Sequence, residues 1–336
     1  MRLWASSSCH NRSIRSALFV AASLLTACSA LQSPLSRSFL PTPSLVGTKA
    51  GDNVAHHANW ISSEVPRAAK KHGLIFVSDA GASVIDIFSR AKPTKIIGQI
   101  LSLLGGPEYL VLDTHEDLFV ANTDVNDILE FSPPYKYVAA TYQFGQTGTN
   151  GLMIGGDGLL YASGASTQQI VEYRLGHPNS PHIIYLPVGP LGMALDSRGN
   201  LFAGFNGSET GGVFELPEGS KFAQGARDPR NLLIPLEAYA GDIAFDGNGD
   251  LVVEDAGAGV INVYRPGTKK PLRSIGGFQY PVTMQFDPEK RKLYVGDFVA
   301  NDVKIFDYAT GALLTTLTGF TNAWGVTVSA PSDGPK

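Results

Sequence analysis

One pattern recurs six times between residues 73 and 329 of this 336-residue chain. A short apolar strand leads to a tight polar turn and a second strand ending in a small or acidic residue. A polar hairpin then leads to a third strand. The clearest copies span 109–131, 242–264 and 283–306. The second strands align by hand as Ile75-Phe76-Val77-Ser78-Asp79, Leu118-Phe119-Val120-Ala121-Asn122 and Leu160-Tyr161-Ala162-Ser163-Gly164. They continue as Leu201-Phe202-Ala203-Gly204-Phe205, Leu251-Val252-Val253-Glu254-Asp255 and Leu293-Tyr294-Val295-Gly296-Asp297. Their last residues lie 43, 42, 41, 50 and 42 positions apart, so only the fourth copy is stretched. The runs are rich in β-branched and aromatic residues, which suit a pleated, buried strand.

First strands repeat with their turns. Tyr109–Asp113 leads into Thr114-His115-Glu116-Asp117, and the run 242–246 leads into Gly247-Asn248-Gly249-Asp250. Asp and Asn supply side-chain-to-backbone bonds at such turns, and Gly supplies positive φ. Third strands are expected at 84–88, 127–131, 170–173, 213–216, 260–264 and 303–306, with weaker fourth strands such as 183–186 and 313–317. Units of about 40 residues carrying several short strands are the signature of a β-propeller. The segment 325–328 is a first strand with no second strand after it, whereas the repeat starting near Gly73 lacks its first strand. The two defects complement each other. The expected fold is all-β, a six-bladed β-propeller whose ring is closed by the C-terminal strand completing the first blade, which leaves no long sheet edge unpaired.

Arg2, Arg12 and Arg15 precede an apolar run at 17–25 that ends in Leu25-Thr26-Ala27-Cys28. That order marks a secretory signal, and the run is too short to span a bilayer as a helix. Its end resembles the lipobox of bacterial lipoproteins, in which the cysteine is lipidated and becomes the first residue. The alternative is an ordinary signal peptide with an incidental Cys28. The resemblance implies an exported protein anchored in a membrane by acyl chains on Cys28. Ser29 after the cysteine, rather than Asp, implies the outer membrane, facing the periplasm or the cell surface. The mature chain then has no disulfide, because Cys9 lies in the segment removed. Residues 1–27 are thus expected as a signal peptide, 28–72 as lipidated Cys and flexible tether, 73–329 as the propeller and 330–336 as a disordered tail. Within the tether, Trp60-Ile61 and 68–71 are expected to form a short element covering one end of the ring. Net charge is −4, with no basic block, so nucleic acid is not an expected partner.

From about Gly73 to Val328 the chain resembles the NHL/YVTN-repeat class of β-propellers. The carrying units are Leu293–Asp297 with Asn301 and Val303-Lys304-Ile305-Phe306, and Asn122 with Asn126 and 128–131. The class hosts both enzymes and binding proteins. Gluconolactonase-like members hold a divalent metal in the central channel through Glu, Asn and Asp. The positions here comparable to theirs are Asp79, Asn122, Glu254, Asp255 and Asp297, a donor set that would suit Ca2+. The alternative role of an Asp or Asn at these strand ends is to cap the following hairpin. Streptogramin-lyase-like members use histidines near the channel, but this chain has none after His182. Asp246-Gly247-Asn248-Gly249-Asp250 starts like a calcium loop, yet its twelfth position is Gly257 and its flanks are strands, so a hairpin turn is expected.

Two regions are candidates for recognition. The first is the inner rim, where first strands begin at Tyr109, Gly151, Gly192, Asp242, Thr283 and Gly325. The second is the stretched fourth copy, whose loop 217–230 carries Lys221, Phe222, Arg227 and Arg230; long loops on rigid scaffolds often carry function. The expected function is a non-catalytic, membrane-anchored binding or scaffold lipoprotein for a protein, peptide or glycan, with no cofactor. The alternative is a metal-dependent hydrolase or lyase acting in the channel.

Overall fold

The second strands explain the architecture. Leu74–Asp79, Leu118–Asn122, Leu159–Gly164, Leu201–Phe205, Leu251–Asp255 and Lys292–Asp297 are buried almost end to end. A strand apolar on both faces needs a neighbouring layer on both, and a ring of stacked sheets provides one. The computed structural model describes residues 58–145, 148–206, 211–217, 230–237 and 240–333. It contains six antiparallel sheets, the blades of an all-β propeller. Six apolar clusters fill the six seams between neighbouring blades. Phe76, Leu118 and Phe131 meet between blades one and two, for example, and Tyr294 and Val326 between blades six and one.

Blade one is assembled from both ends of the ring. From outside inward its strands are Trp60–Ile61, Lys92–Ile100, Val84–Ser89, Leu74–Asp79 and Ala323–Val328. The last pairs with the second strand through Ile75 opposite Val328 and Val77 opposite Val326. This is the closure expected from the sequence. Ser329 continues it: its amide donates to the Leu74 carbonyl, and its Oγ accepts from the Leu74 amide.

The segment before the ring differs from the expected tether. Trp60–Ile61 adds a fifth strand to blade one, pairing with Gln99 and Gly98. Glu64–His72 forms a helix with Glu64 in its first turn and Lys70, Lys71 and His72 in its last, charges placed to suit the helix dipole. Val65 and Ala68 bury its inner face in the cluster between blades one and two. The apolar spacing 61–65–68 accounts for the docking. The C-terminal segment also departs from the expected tail, because the amides of Ser332 and Asp333 donate to carbonyls of Ala69 and Lys70. Residues 1–57, with Cys28, and 334–336 lie outside the described residues. Among the described residues no helix is long and apolar enough to cross a membrane.

Aspartates write the turns on the lower face of the ring, where first and second strands join. Oδ1 of Asp113, Asp196 and Asp246 each accepts the backbone amides two and four residues on. Asp246–Asp250 is therefore a hairpin turn, with Gly249 at φ 80°. On the upper face, Pro107, Pro190 and Pro281 begin innermost strands, a position where the missing N–H costs no ladder bond.

Candidate functional site

The innermost strands surround the channel, and in five blades a register shift interrupts their pairing with the second strand. Such bulges re-aim side chains. Tyr109, Gly192, Asp242, Thr283 and Gly325 lie at or beside these shifts. Each forms part of a ring of contacts between blades at the channel neck. The Tyr109 hydroxyl donates to the Val282 carbonyl at 3.0 Å, reaching from blade two past blade one to blade six. Thr283 Oγ1 donates to the Trp324 carbonyl at 2.6 Å, and Asp242 Oδ2 accepts the Met284 amide at 3.1 Å. Ser78 and Ser163 donate to the carbonyls of Glu108 and Leu191 in the next blade. Glycine is needed at two of these points: a Cβ on Gly325 would strike the Glu108 carbonyl, and one on Gly192 would strike Asp242. The three rim candidates, Tyr109, Asp242 and Thr283, thus sit at the neck with their polar atoms bridging neighbouring strands.

Asp242 and Glu254 form an acidic pair at the neck. Glu254 Oε2 accepts the Asp242 amide at 2.7 Å, while Oε1 is buried and has no partner among the described residues. Burial pushes Asp242 up to about 7, partly offset by amide bonds from Met284 and Ile243. Burial, followed by the charge of Asp242, lifts Glu254 well above the usual carboxylate range. The folded state therefore keeps protons that the unfolded chain releases from about pH 4. The stability these protons contribute is complete below that pH and falls as pH rises toward 7. Glu254→Gln keeps the size and removes the charge. We expect it to leave stability unchanged at acidic pH and to raise it in mildly alkaline solution, where the wild-type chain must carry the buried charge. Thermal melts of both proteins across the pH range check this, and parallel curves would show that the pair does not titrate as described.

The other metal candidates have backbone partners. Asp79 accepts the amides of Thr321 and Asn322, Asp255 that of Glu237, and Asp297 those of Gln279 and Tyr280. Asn122 Oδ1 accepts the Gly105 amide. Each clasps the loop that leads into the innermost strand of its own blade. Asp79, Asp255 and Asp297 also cap the next hairpin through Ala82, Ala258 and Ala300. Hairpin capping was legible in the sequence, but the clasp across the blade was not. Lys304 completes the Asp297 node at 2.7 Å. Glu254 is separate from these clasps and bonds Asp242 instead. The one cluster of three potential metal-binding groups among the described residues is Asp113, His115 and Asp117, in a lower-face turn.

On the lower face a cleft of about 1150 Å³ runs from the turns of blades three to six outward between blades four and five. Arg198, Arg230, Arg265, Lys269 and Lys290 line it. It opens beside the outer strand of blade four, which among the described residues is Arg230–Asn231. Arg230 pairs with Glu215 at 3.3 Å. Lys221, Phe222 and Arg227 lie outside the described residues.

No family model and no curated protein matches the chain. Solved structures do. A structure described as a nidogen/laminin complex matches 77% of this chain and 99% of its own, with TM-score 0.66 and 16% identity. A protein of unknown function from Bacteroides caccae has the same coverage, TM-score 0.61 and 12% identity. A catalytically inactive virginiamycin B lyase from Staphylococcus aureus, solved with quinupristin, matches 74% of this chain and 85% of its own, with TM-score 0.51 and 14% identity. At such identities the likeness establishes the propeller fold.

Proposed function

We propose that this chain is an exported, lipid-anchored propeller that binds a protein, peptide or glycan partner without turning it over. The observation that carries the reading is the channel neck, whose polar side chains bridge neighbouring blades, together with a large cleft lined by described residues on the lower face. The nidogen/laminin structure is a propeller-containing protein complex, which is consistent with a binding role for this scaffold. Among the described residues, no histidine stands where lyase chemistry of the histidine type would need it. His72 ends the helix, His115 lies in a turn, His177 in a loop and His182 in the outer strand of blade three. None is on an innermost or second strand.

The N-terminal pattern supports anchoring through Cys28, at the outer membrane facing the periplasm or the cell surface. In a bacterial host fed an alkyne-tagged fatty acid, we expect label on the wild-type chain. Cys28→Ala is expected to lose that label and to move to the soluble fraction. Equal labelling of both would sink the anchor.

The Asp242–Glu254 pair favours the second reading, a metal-dependent hydrolase or lyase. Stoichiometric calcium in the purified protein, lost in Glu254→Ala, would turn the assignment that way.

A further inference from the structure

The lower-face cleft has a charge pattern that selects a ligand. Its carboxylates already hold hydrogen bonds, Asp246 buried and Asp157 at the exposed edge. Asp196 Oδ1 accepts amides of Arg198 and Asn200, and Asp246 Oδ2 accepts the Tyr308 hydroxyl at 2.9 Å. Asp157 accepts the Tyr161 hydroxyl and the Leu159 amide. Its cations are placed otherwise. Arg198 and Arg230 carry exposed ion pairs with Asp196 and Glu215, contacts that contribute little and exchange readily. Among the described residues neither Arg265 nor Lys269 has a carboxylate partner. Both stand on the loop between the third and outer strands of blade five, at the rim of the cleft.

The floor is apolar. Leu232, Ile234 and Phe245 belong to, or pack on, the cluster between blades four and five. Its aromatic rings are not presented flat to solvent, as stacking on a sugar requires. Phe202 and Tyr264 are 7% and 1% exposed, and Phe245 meets Phe202 edge-on at 5.0 Å. Gly247, Gly249 and Gly267 in the surrounding turns have open space where a side chain would stand, so a main chain can approach closely. A volume of about 1150 Å³ exceeds that of most small-molecule pockets.

We propose that this cleft binds an extended peptide segment of a partner protein, with acidic side chains directed to Arg265 and Lys269 and apolar side chains on the floor between blades four and five. The assignment rests on the binding reading above and names its partner class.

The test uses the full-length secreted Cys28→Ala chain and two fluorescein-labelled peptides, one alternating Glu and Leu, the other Lys and Leu. Fluorescence anisotropy is expected to show binding of the acidic peptide only, weakening as salt rises. The double variant Arg265→Glu/Lys269→Glu should weaken it by about tenfold or more. Among the described residues neither side chain has an ion-pair partner, so the fold should survive, as circular dichroism can verify. Lys92→Glu, an exposed charge reversal on blade one, should change nothing. Binding of both peptides, equal losses in both variants, or no binding overturns the assignment. So does displacement by an acidic oligosaccharide that binds more tightly than the peptide. A failure of this kind in a protein with no metal-dependent turnover removes the cleft and leaves the binding reading standing. Stoichiometric calcium with turnover removes the reading itself.

Discussion

A chain cut after Asn322 loses cooperative unfolding. The missing strand, Ala323–Val328, is buried along its whole length and forms the innermost layer of blade one. Trp324, Val326 and Val328 are each at most 6% exposed. Burying such side chains stabilises by about 1.5–3 kcal/mol apiece. Their sum alone approaches the about 5–15 kcal/mol that separates a folded domain from its unfolded state. The loss also strips the ladder partner from Ile75, Phe76 and Val77 and opens the seam to blade six. Among the described residues no other strand stands at the innermost place of blade one. Urea unfolding followed by circular dichroism should change from one sharp transition to a broad, low-amplitude one. A truncated chain with the wild-type midpoint would show that the ring is held by other means.

Arg90→Ala destabilises the protein by about 3 kcal/mol, the scale of breaking a buried ion pair from one side. Arg90 follows the third strand of blade one, and its side chain is only 11% exposed. One nitrogen donates to the Ser329 carbonyl at 2.9 Å, and the other to Asp287 at 3.1 Å and Glu289 at 2.9 Å in blade six. A single side chain thereby ties the closing strand to both blades that it joins. Removing it strands Asp287, whose side chain is 2% exposed, without its cation. Arg90→Lys keeps the charge and loses the fork, so it should fall between wild type and alanine. Chemical denaturation of the three proteins decides the point. A loss below about 1 kcal/mol for alanine would place Arg90 among ordinary surface ion pairs.

The repeat was readable because a blade is a local object. Leu251–Asp255, the turn at Asp246 and the hairpin to Val260–Tyr264 lie within some twenty residues, and period, apolar runs and turn residues report on them directly. The clasps were half readable. The bond from Asp297 to Ala300 is three residues long, whereas those to Gln279 and Tyr280 cross the blade. The acidic pair needed the fold, because nothing in the spacing of Asp242 and Glu254 says that one carboxylate accepts the amide of the other. The cleft needed it most. Its cations stand at 198, 230, 265, 269 and 290, on elements of three blades that have no common sequence signal.

By itself, then, the sequence determined six all-β blades and the identity of the strand that closes them, because strand formation, turns and a missing repeat member are short-range patterns. The tertiary structure alone decided how residues 60–72 dock on blade one, which polar atoms bridge the channel neck and where a cleft opens. Those features depend on which surfaces a closed ring brings together from distant parts of the chain, and short-range patterning carries no record of that.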